Sequence, residues 1–183
     1  MIHLLSDVQT DKVGEGTNVW QYAIILKGAT IGKNCNINCH TFIENDVALG
    51  DNVTVKSGVY LWDGITVKDN VFIGPNVTFT NDKRPRSKKY PDSFQKTIIN
   101  ENASIGAGAI ILGGIEIGAN AMIAAGSLVT KNVPEKALVK GSPAIVSAWL
   151  NDDGTKMEYK NGFFEDNKGN MWQVINNELI LKL

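Results

Sequence analysis

The side chains best suited to chemistry in this chain are carboxylates and amides spaced eighteen residues apart. Asn45, Asp63 and Asn81 each follow an apolar residue by two positions, and Asp82 comes directly after Asn81. Carboxylates orient an amine or take its proton, and amides both donate and accept hydrogen bonds. If residues eighteen apart stack, these groups form one polar column. Asp63, Asn81 and Asp82 are then candidate catalytic residues, and Asn45 is a candidate substrate contact.

An irregular and basic segment begins at the last position of this column. Residues 81–96 read NDKRPRSKKYPDSFQK, with two prolines and six basic residues against two acidic ones. Long segments without a repeating pattern are usually functional or disordered. We expect a loop over residues 81–97, in which Arg84 and Arg86 contact an anionic substrate. Because Ile99 restores the apolar pattern, Glu101, two positions later, is expected to continue the polar column beyond the loop.

His40 is a further candidate for proton transfer, because an imidazole readily accepts a proton near neutral pH. It follows Ile37 by three positions and is therefore expected at a different corner from Asp63. Only a neighbouring copy of the chain could then bring the two side chains together. Trp20 and Tyr22 precede positions 38 and 40 by eighteen residues. We therefore expect them to line the pocket around the proton-accepting side chain of His40.

Beyond the loop, small residues recur at the same spacing. Ala107 and Ala125 lie eighteen residues apart, and Gly108 follows the first of them. Stacked small side chains leave backbone N–H and C=O groups open to an extended ligand with amides of its own, such as a pantetheine arm. A backbone N–H near Gly108 is the expected stabiliser of a tetrahedral oxyanion. Lys131 and Lys140 lie further along the chain and are expected to contact phosphates.

These expectations depend on a six-residue repeat that no helical period produces. Apolar residues recur every six positions, and they are Val13, Val19, Ile25, Ile31, Ile37, Ile43, Leu49, Val55, Leu61, Val67, Ile73 and Phe79, then Ile99, Ile105, Ile111, Ile117, Ile123 and Val129. Three short strands make one triangular coil of eighteen residues, and successive coils pair as parallel strands about 4.7–4.9 Å apart. The repeat predicts an all-β fold, a left-handed parallel β-helix over residues 1–133 with a protruding loop.

The chain after the last repeat is less regular. Residues 134–150 are expected to form a connecting segment, with a short helix over 144–150. In residues 151–183, Asn-Gly and Asn-Asn pairs separate short runs such as MWQVI and ELILK. Such turn signals between apolar runs predict a small antiparallel β extension.

Composition excludes several classes of partner and location. The 183 residues include 18 Lys and Arg against 19 Asp and Glu, so the net charge of −1 favours neither nucleic acid nor an anionic membrane surface. The chain lacks an apolar run of about 18 residues, and its N-terminus lacks a signal-peptide pattern. Cys35 and Cys39 lack the further ligands that zinc requires. We therefore predict no membrane insertion, no metal site and a reducing, cytoplasmic location.

Several segments resemble the nucleotide-sugar N-acetyltransferases of the left-handed β-helix superfamily. These are IGPNVTFTNDKRPRS at 73–87, GSPA at 141–144, and the stretches MIHLLSDVQ and GVYLWDGITVKDNVFIGPNVTFTND. The resemblance covers residues 1 to about 149 and is closest to enzymes that acetylate dTDP-3-amino-3,6-dideoxyhexoses. It implies transfer from acetyl-CoA, without a metal, to the 3-amino group of a Fuc3N- or Qui3N-type nucleotide sugar used in surface glycans.

The same resemblance implies a homotrimer that holds both substrates between adjacent subunits. It assigns the acidic position before a glycine to Asp63, and the Asn-Asp pair at the start of the loop to Asn81 and Asp82. Asp63 and Asp82 would hold and orient the amine, and Asn81 would hydrogen-bond the sugar or the amine.

Other functions remain open at this stage. Arg84 and Arg86 are compatible with a UDP-linked 3-amino uronic acid, whose extra carboxylate requires a basic partner, and a 4-amino sugar nucleotide is a further alternative. A non-catalytic β-helix scaffold would need neither the basic loop nor the Thr80-Asn81-Asp82 motif at its start. A γ-class carbonic anhydrase is excluded, because it needs three zinc-binding histidines and this chain has two, His3 and His40.

Overall fold

A computed structural model describes residues 1–182, and all its regular elements are β-strands. The strands are β1 (Asp7–Val8), β2 (Asn18–Val19), β3 (Ile24–Ile25), β4 (Thr30–Ile31), β5 (Asn36–Ile37), β6 (Phe42–Ile43), β7 (Ala48–Leu49), β8 (Thr54–Val55), β9 (Tyr60–Leu61), β10 (Ile65–Val67), β11 (Phe72–Ile73), β12 (Thr78–Phe79), β13 (Thr97–Ile99), β14 (Ser104–Ile105), β15 (Ile110–Ile111), β16 (Glu116–Ile117), β17 (Met122–Ile123), β18 (Leu128–Val129), β19 (Ala137–Gly141), β20 (Ala144–Trp149), β21 (Glu158–Lys160), β22 (Phe163–Glu165), β23 (Met171–Ile175) and β24 (Glu178–Leu181).

The first nineteen strands form a three-sided, left-handed solenoid. A seven-stranded sheet has the order β1-β3-β6-β9-β12-β15-β18, and a five-stranded sheet has the order β4-β7-β10-β13-β16. The third side is an eight-stranded sheet in the order β2-β5-β8-β11-β14-β17-β19-β20. Pairing is parallel throughout these sheets except between β19 and β20, and Ile25, Ile43 and Leu61 lie opposite one another in the seven-stranded sheet. The predicted eighteen-residue coil is confirmed.

The six-residue repeat supplies the core of the solenoid. Ile25, Ile37, Ile43 and Leu61 are fully buried, and small or β-branched residues such as Ala23 fill the space two positions before them. Burying a side chain of this size contributes roughly 1.5–3 kcal/mol relative to its exposure to water. Because each side contributes one large residue per coil, the repeat itself holds the three sheets together.

The loop is an insertion within one coil, which changes the column expected beyond it. Val67 of β10 lies opposite Ile99 of β13, so these stacked residues are 32 positions apart, 14 more than in an uninterrupted coil. Phe79 lies opposite Ile111, not opposite Ile99. The expectation for Glu101 was therefore wrong. Counting alone cannot reveal that the pattern resumes on the next side of the triangle.

The end of the solenoid also differs from expectation. Residues 144–149 form β20, which pairs antiparallel with β19, so the helix predicted over 144–150 was wrong. A strand is favoured here because β19 offers a free edge to which the backbone of β20 bonds. Strands β21 to β24 then form a four-stranded antiparallel sheet. Its Phe164, Trp172 and Leu179 pack against the core, whereas Leu183 lies outside the described residues.

Residues 1–182 contain no helix that is long and apolar enough to cross a membrane.

Candidate active site

Turns between the seven- and five-stranded sheets form what we call the polar corner, which contains Asn45, Asp63 and Asn81. The register of β6, β9 and β12 stacks the residues before these turns, so the three side chains follow one edge as predicted. The amide Nδ2 of Asn81 donates to the carbonyl oxygen of Asp63 at 3.2 Å. Above them the column continues through Gly113 to Lys131, because Phe79, Ile111 and Val129 lie opposite one another.

Side chains at the polar corner also bridge successive coils. Asp63 Oδ1 accepts a hydrogen bond from the backbone N–H of Asp46 at 2.7 Å, and Asn45 Oδ1 accepts one from Gly28 at 3.0 Å. Glu44 Oε2 in turn accepts the N–H of Asp63 at 2.7 Å. The half-buried Asp63 therefore has a structural bond through one carboxylate oxygen. Among residues 1–182 its second oxygen has no hydrogen-bonding partner, which leaves it available to an amine.

The inserted loop begins with a turn formed by Asp82. Its Oδ1 accepts the backbone N–H of Arg84 at 2.7 Å, the arrangement in which an aspartate side chain mimics a backbone turn. Arg84 and Arg86 are exposed, and Arg86 Nη1 donates to the carbonyl oxygen of Pro85 at 2.9 Å. Both guanidinium groups can therefore reach an anion from solvent. Asp82 has one oxygen in the turn and one left for a ligand.

Gln95, which the sequence analysis overlooked, closes the base of the loop. Its backbone N–H donates to Asn81 O at 3.1 Å. A Cβ atom added at Gly64 would lie 2.8 Å from Gln95 O, and one at Gly113 would lie 2.9 Å from its Oε1. The glycines of the coils on either side therefore make room for Gln95. This packing fixes Asn81 at the point where the loop leaves the solenoid.

Turns between the eight- and seven-stranded sheets form the small-residue corner, which contains Ala107, Gly108 and Ala125. Ile105 and Ile123 lie opposite each other, so Ala107 and Ala125 stack as predicted. The N–H of Gly108 donates to Pro75 O at 2.9 Å, so it is not free to bind an oxyanion. The N–H of Ala107 has no acceptor among residues 1–182. A Cβ atom added at Gly108 would meet nothing within 4 Å, so this edge is open to a ligand.

His40 lies at the small-residue corner, several coils before the alanines. Tyr22 stacks on its ring, with 5.3 Å between centroids and an interplanar angle of 18°. Trp20 lies on the outer face of the eight-stranded sheet, where its Nε1 donates to Asn36 Oδ1 at 2.7 Å. The seven-stranded sheet separates the corner of His40 from that of Asp63, so one chain does not bring these two candidates together.

The two lysines expected to bind phosphate lie at different corners. Lys131 belongs to the polar corner, whereas Lys140 lies in β19 beside the small-residue corner. Both are exposed. Cys35 points into the core and Cys39 lies at a turn, 3.3 Å from Ser57 Oγ. No group of three histidine, cysteine or acidic side chains within residues 1–182 is placed to hold a metal ion.

An aromatic cluster on the seven-stranded sheet was also overlooked. Phe42 and Tyr60 lie opposite each other on β6 and β9, and Trp62 follows β9. Ring centroids are 6.4 Å apart for Phe42 and Tyr60, 5.8 Å for Phe42 and Trp62, and 5.9 Å for Tyr60 and Trp62. The signal in the sequence is an aromatic residue on either side of the inward Leu61, with Phe42 eighteen residues before Tyr60.

Comparison with known proteins agrees with this architecture. The family described as bacterial transferase hexapeptide (six repeats) matches residues 46–81 and 96–131, and a hexapeptide repeat of succinyl-transferase matches 28–62. A dTDP-3-amino-3,6-dideoxy-alpha-D-galactopyranose 3-N-acetyltransferase of Aneurinibacillus thermoaerophilus is 51% identical over 158 residues, which cover 86% of this chain and 82% of that protein.

Two solved structures share the fold. A mutant perosamine N-acetyltransferase of Caulobacter crescentus, solved with CoA and GDP-perosamine, superposes with a TM-score of 0.63 at 20% identity, over 72% of this chain and 56% of that one. This chain thus spans little more than half of that protein's length. A hexapeptide-repeat acetyltransferase of Vibrio cholerae, solved with acetyl coenzyme A, gives a TM-score of 0.59 at 28% identity, over 68% and 72% of the two chains. The chain therefore belongs to the family of left-handed β-helix, hexapeptide-repeat acetyltransferases.

Proposed function

We propose that this protein transfers the acetyl group of acetyl-CoA to the 3-amino group of a dTDP-3-amino-3,6-dideoxyhexose of the Fuc3N or Qui3N type. The observation that carries the proposal is the 51% identity to the Aneurinibacillus enzyme over 86% of this chain. The matched segment is long enough to include most of the polar corner, the basic loop and the small-residue corner. The acetyl-CoA bound by the Vibrio relative agrees with the donor.

In the proposed reaction, the neutral sugar amine attacks the thioester carbonyl, the C–S bond breaks and CoA leaves as its thiol. The free oxygens of Asp63 and Asp82 hold the amine, and Asn81 hydrogen-bonds the sugar. Placement of two bound reactants supplies much of the acceleration in such transfers. The pantetheine arm lies along Ala107, Gly108 and Ala125, where the N–H of Ala107 is the available donor for the developing oxyanion.

The proposed assembly is a homotrimer with its sites between neighbouring copies. Support comes from the separation of candidates within one chain, since His40 and Asp63 lie at different corners. A neighbour that presents His40 to the polar corner supplies a base for the amine proton. Lys131 and Lys140 belong to different corners, and in this assembly neighbouring copies contribute them to the phosphates of one bound ligand.

The test is an acetylation panel that measures CoA release from acetyl-CoA. The acceptors are dTDP-Fuc3N, dTDP-Qui3N, a UDP-linked 3-amino uronic acid and a dTDP-4-amino sugar. We expect the highest kcat/KM with one of the two dTDP-3-amino sugars. Preference for the uronic acid would overturn the acceptor assignment and make Arg84 and Arg86 the partners of its carboxylate. Failure of every acceptor, together with failure to bind acetyl-CoA, would favour the scaffold alternative.

A further inference from the structure

The outer face of the seven-stranded sheet carries a groove of which the proposed reaction uses only His40, at one end. Its volume is about 430 Å³, and its lining residues are Tyr22, Ile24, His40, Thr41, Phe42, Tyr60 and Trp62. This volume falls within the range of small-molecule sites, about 300–1,000 Å³. The groove crosses the sheet from the corner of His40 to Trp62, the residue directly before Asp63.

The groove is confined to the coils below the loop. Moving along the sheet towards the C-terminus, the positions of Tyr60 and Trp62 are taken by Thr78 and Thr80, and then by Ile110 and Leu112. A contact with a second copy along the whole sheet would give no reason to concentrate aromatic rings in three consecutive coils. The clustering therefore favours a compact ligand.

The lining is suited to a planar ligand with polar edges. Tyr22 is 53% exposed and Tyr60 is 49% exposed, so their hydroxyl groups lie where a ligand's N–H and C=O groups can reach them. The indole Nε1 of Trp62 donates to Phe79 O at 2.9 Å, which fixes the ring in place before any ligand arrives. Aromatic faces with hydroxyl groups at the rim match a nucleobase, which has two apolar faces and hydrogen-bonding edges.

Charge complementarity indicates where the phosphates of a bound nucleotide lie. The loop begins at Asn81, one coil beyond Asp63, and successive coils are about 4.7–4.9 Å apart. Its exposed Arg84 and Arg86 supply positive charge for a diphosphate at the same edge. A base in the groove would thus be joined through its diphosphate to a sugar at Asp63 and Asn81.

We infer that the groove formed by Tyr22, Phe42, Tyr60 and Trp62 binds the pyrimidine base of the nucleotide sugar. This inference rests on the proposed function, because that function supplies the nucleotide. The groove makes the base, and not only the amino sugar, a determinant of acceptor choice.

The experiment compares dTDP binding by calorimetry in the wild type and in Tyr60→Ala and Trp62→Phe. Base–aromatic stacking contributes enough that Tyr60→Ala should weaken dTDP binding roughly five- to a hundredfold. Trp62→Phe keeps a ring and should weaken it less. The control is Phe72→Ala, which removes an aromatic ring that is 39% exposed on the eight-stranded sheet and should leave dTDP binding unchanged.

Three outcomes would overturn the inference. These are unchanged dTDP affinity in Tyr60→Ala, weaker binding of CoA instead of dTDP, and a smaller oligomer in light scattering that Phe72→Ala does not show. The last result would make the face a contact between copies. The inference and the proposed function fail separately. If Tyr60→Ala turns over the dTDP-sugar normally and with an unchanged KM, only the inferred base site is contradicted. If the protein binds dTDP but turns over no amino sugar, only the proposed reaction is contradicted.

Discussion

The polar corner and the small-residue corner are built from the same repeat but expose different chemical groups. At the polar corner, Asn45 and Asp63 use one side-chain oxygen to bridge two coils and keep further hydrogen-bonding capacity. At the small-residue corner, Ala107 and Ala125 leave the backbone accessible, and the space beside Gly108 is empty. One edge thus offers side chains and the other offers backbone. A transfer between two substrates needs both kinds of surface, and on this difference we propose that the acceptor binds at the first corner and the donor at the second.

The largest effect is expected from Asp63→Asn. Asparagine can still accept the N–H of Asp46, so the bridge between coils is retained while the charge that orients the amine is lost. We expect kcat on the preferred amino sugar to fall by about a hundredfold, with little change in Tm. Steady-state kinetics and calorimetric melting measure the two effects.

Asp51→Asn is the matched control for this substitution. Asp51 Oδ1 accepts the N–H of Lys33 at 2.7 Å, so it makes the same bridge at the corner between the five- and eight-stranded sheets. Its turnover should equal that of the wild type. Equal losses in both variants would mean that Asp63 acts only as a bridge.

The second effect concerns the start of the loop. Asp82→Asn keeps an acceptor for the N–H of Arg84 but removes the negative charge. Turnover on the dTDP-amino sugar should therefore fall by more than about tenfold. Asp92→Asn, which changes another acidic residue of the same loop, should have no effect. Unchanged turnover in Asp82→Asn would remove the proposed role of Asp82 and leave it as a residue that shapes the loop.

The third effect should appear at the small-residue corner and in a different kinetic constant. Ala125→Leu adds a larger side chain to an exposed edge, so KM for acetyl-CoA should rise about tenfold while KM for the sugar stays constant. Ala48→Leu makes the same change on the exposed face of the five-stranded sheet and should alter neither constant. A rise in the sugar KM alone would reverse the assignment of the two corners.

The smallest effect on activity is expected outside both corners. Hydrogen bonds from Lys136 and Lys168 lower the pKa of the Asp152 carboxyl. A lowered pKa in the folded state means that ionised Asp152 stabilises the fold above the usual aspartate value of about 3.9, and that this contribution is lost as the pH falls below it. Asp152→Asn should therefore lower the free energy of unfolding at pH 7 by less than about 1 kcal/mol, because the side chain is exposed to solvent.

Two measurements complete this last test. The difference in unfolding free energy between the wild type and Asp152→Asn should shrink as the pH is lowered below about 3.9. Turnover at pH 7 should be equal in the two proteins. A loss of turnover would show that the C-terminal extension contributes to the site. The two corners alone would then not account for the binding of acceptor and donor.

The sequence predicted the coils well because burial leaves little choice at the inward positions. Ile25, Ile43 and Leu61 must face the core, and their six-residue spacing fixes the side of the triangle to which each belongs. Stacking of Asn45, Asp63 and Asn81 follows from that spacing alone. Glu101 was misplaced because the length of an insertion does not show on which side the chain re-enters.

Other errors arose where tertiary contacts decide the structure. The segment 144–150 has no strong turn or repeat signal, and pairing with β19 makes most of it a strand. Gln95 and the aromatic cluster were missed because their importance depends on neighbours in other coils. The role of Gln95 requires Gly64 and Gly113, which lie on either side of it only once the loop has been inserted.

The reversal of chain direction at the end of the solenoid has a consequence for solubility. A stack of parallel coils ends in unpaired N–H and C=O groups, which could recruit the first coil of another molecule and extend into a filament. Here β20 runs antiparallel to β19, and the sheet of β21 to β24 packs Phe164 and Trp172 against the core. The eight-stranded side therefore ends in an antiparallel strand that does not match the first coil of another molecule, which disfavours end-to-end growth on that side.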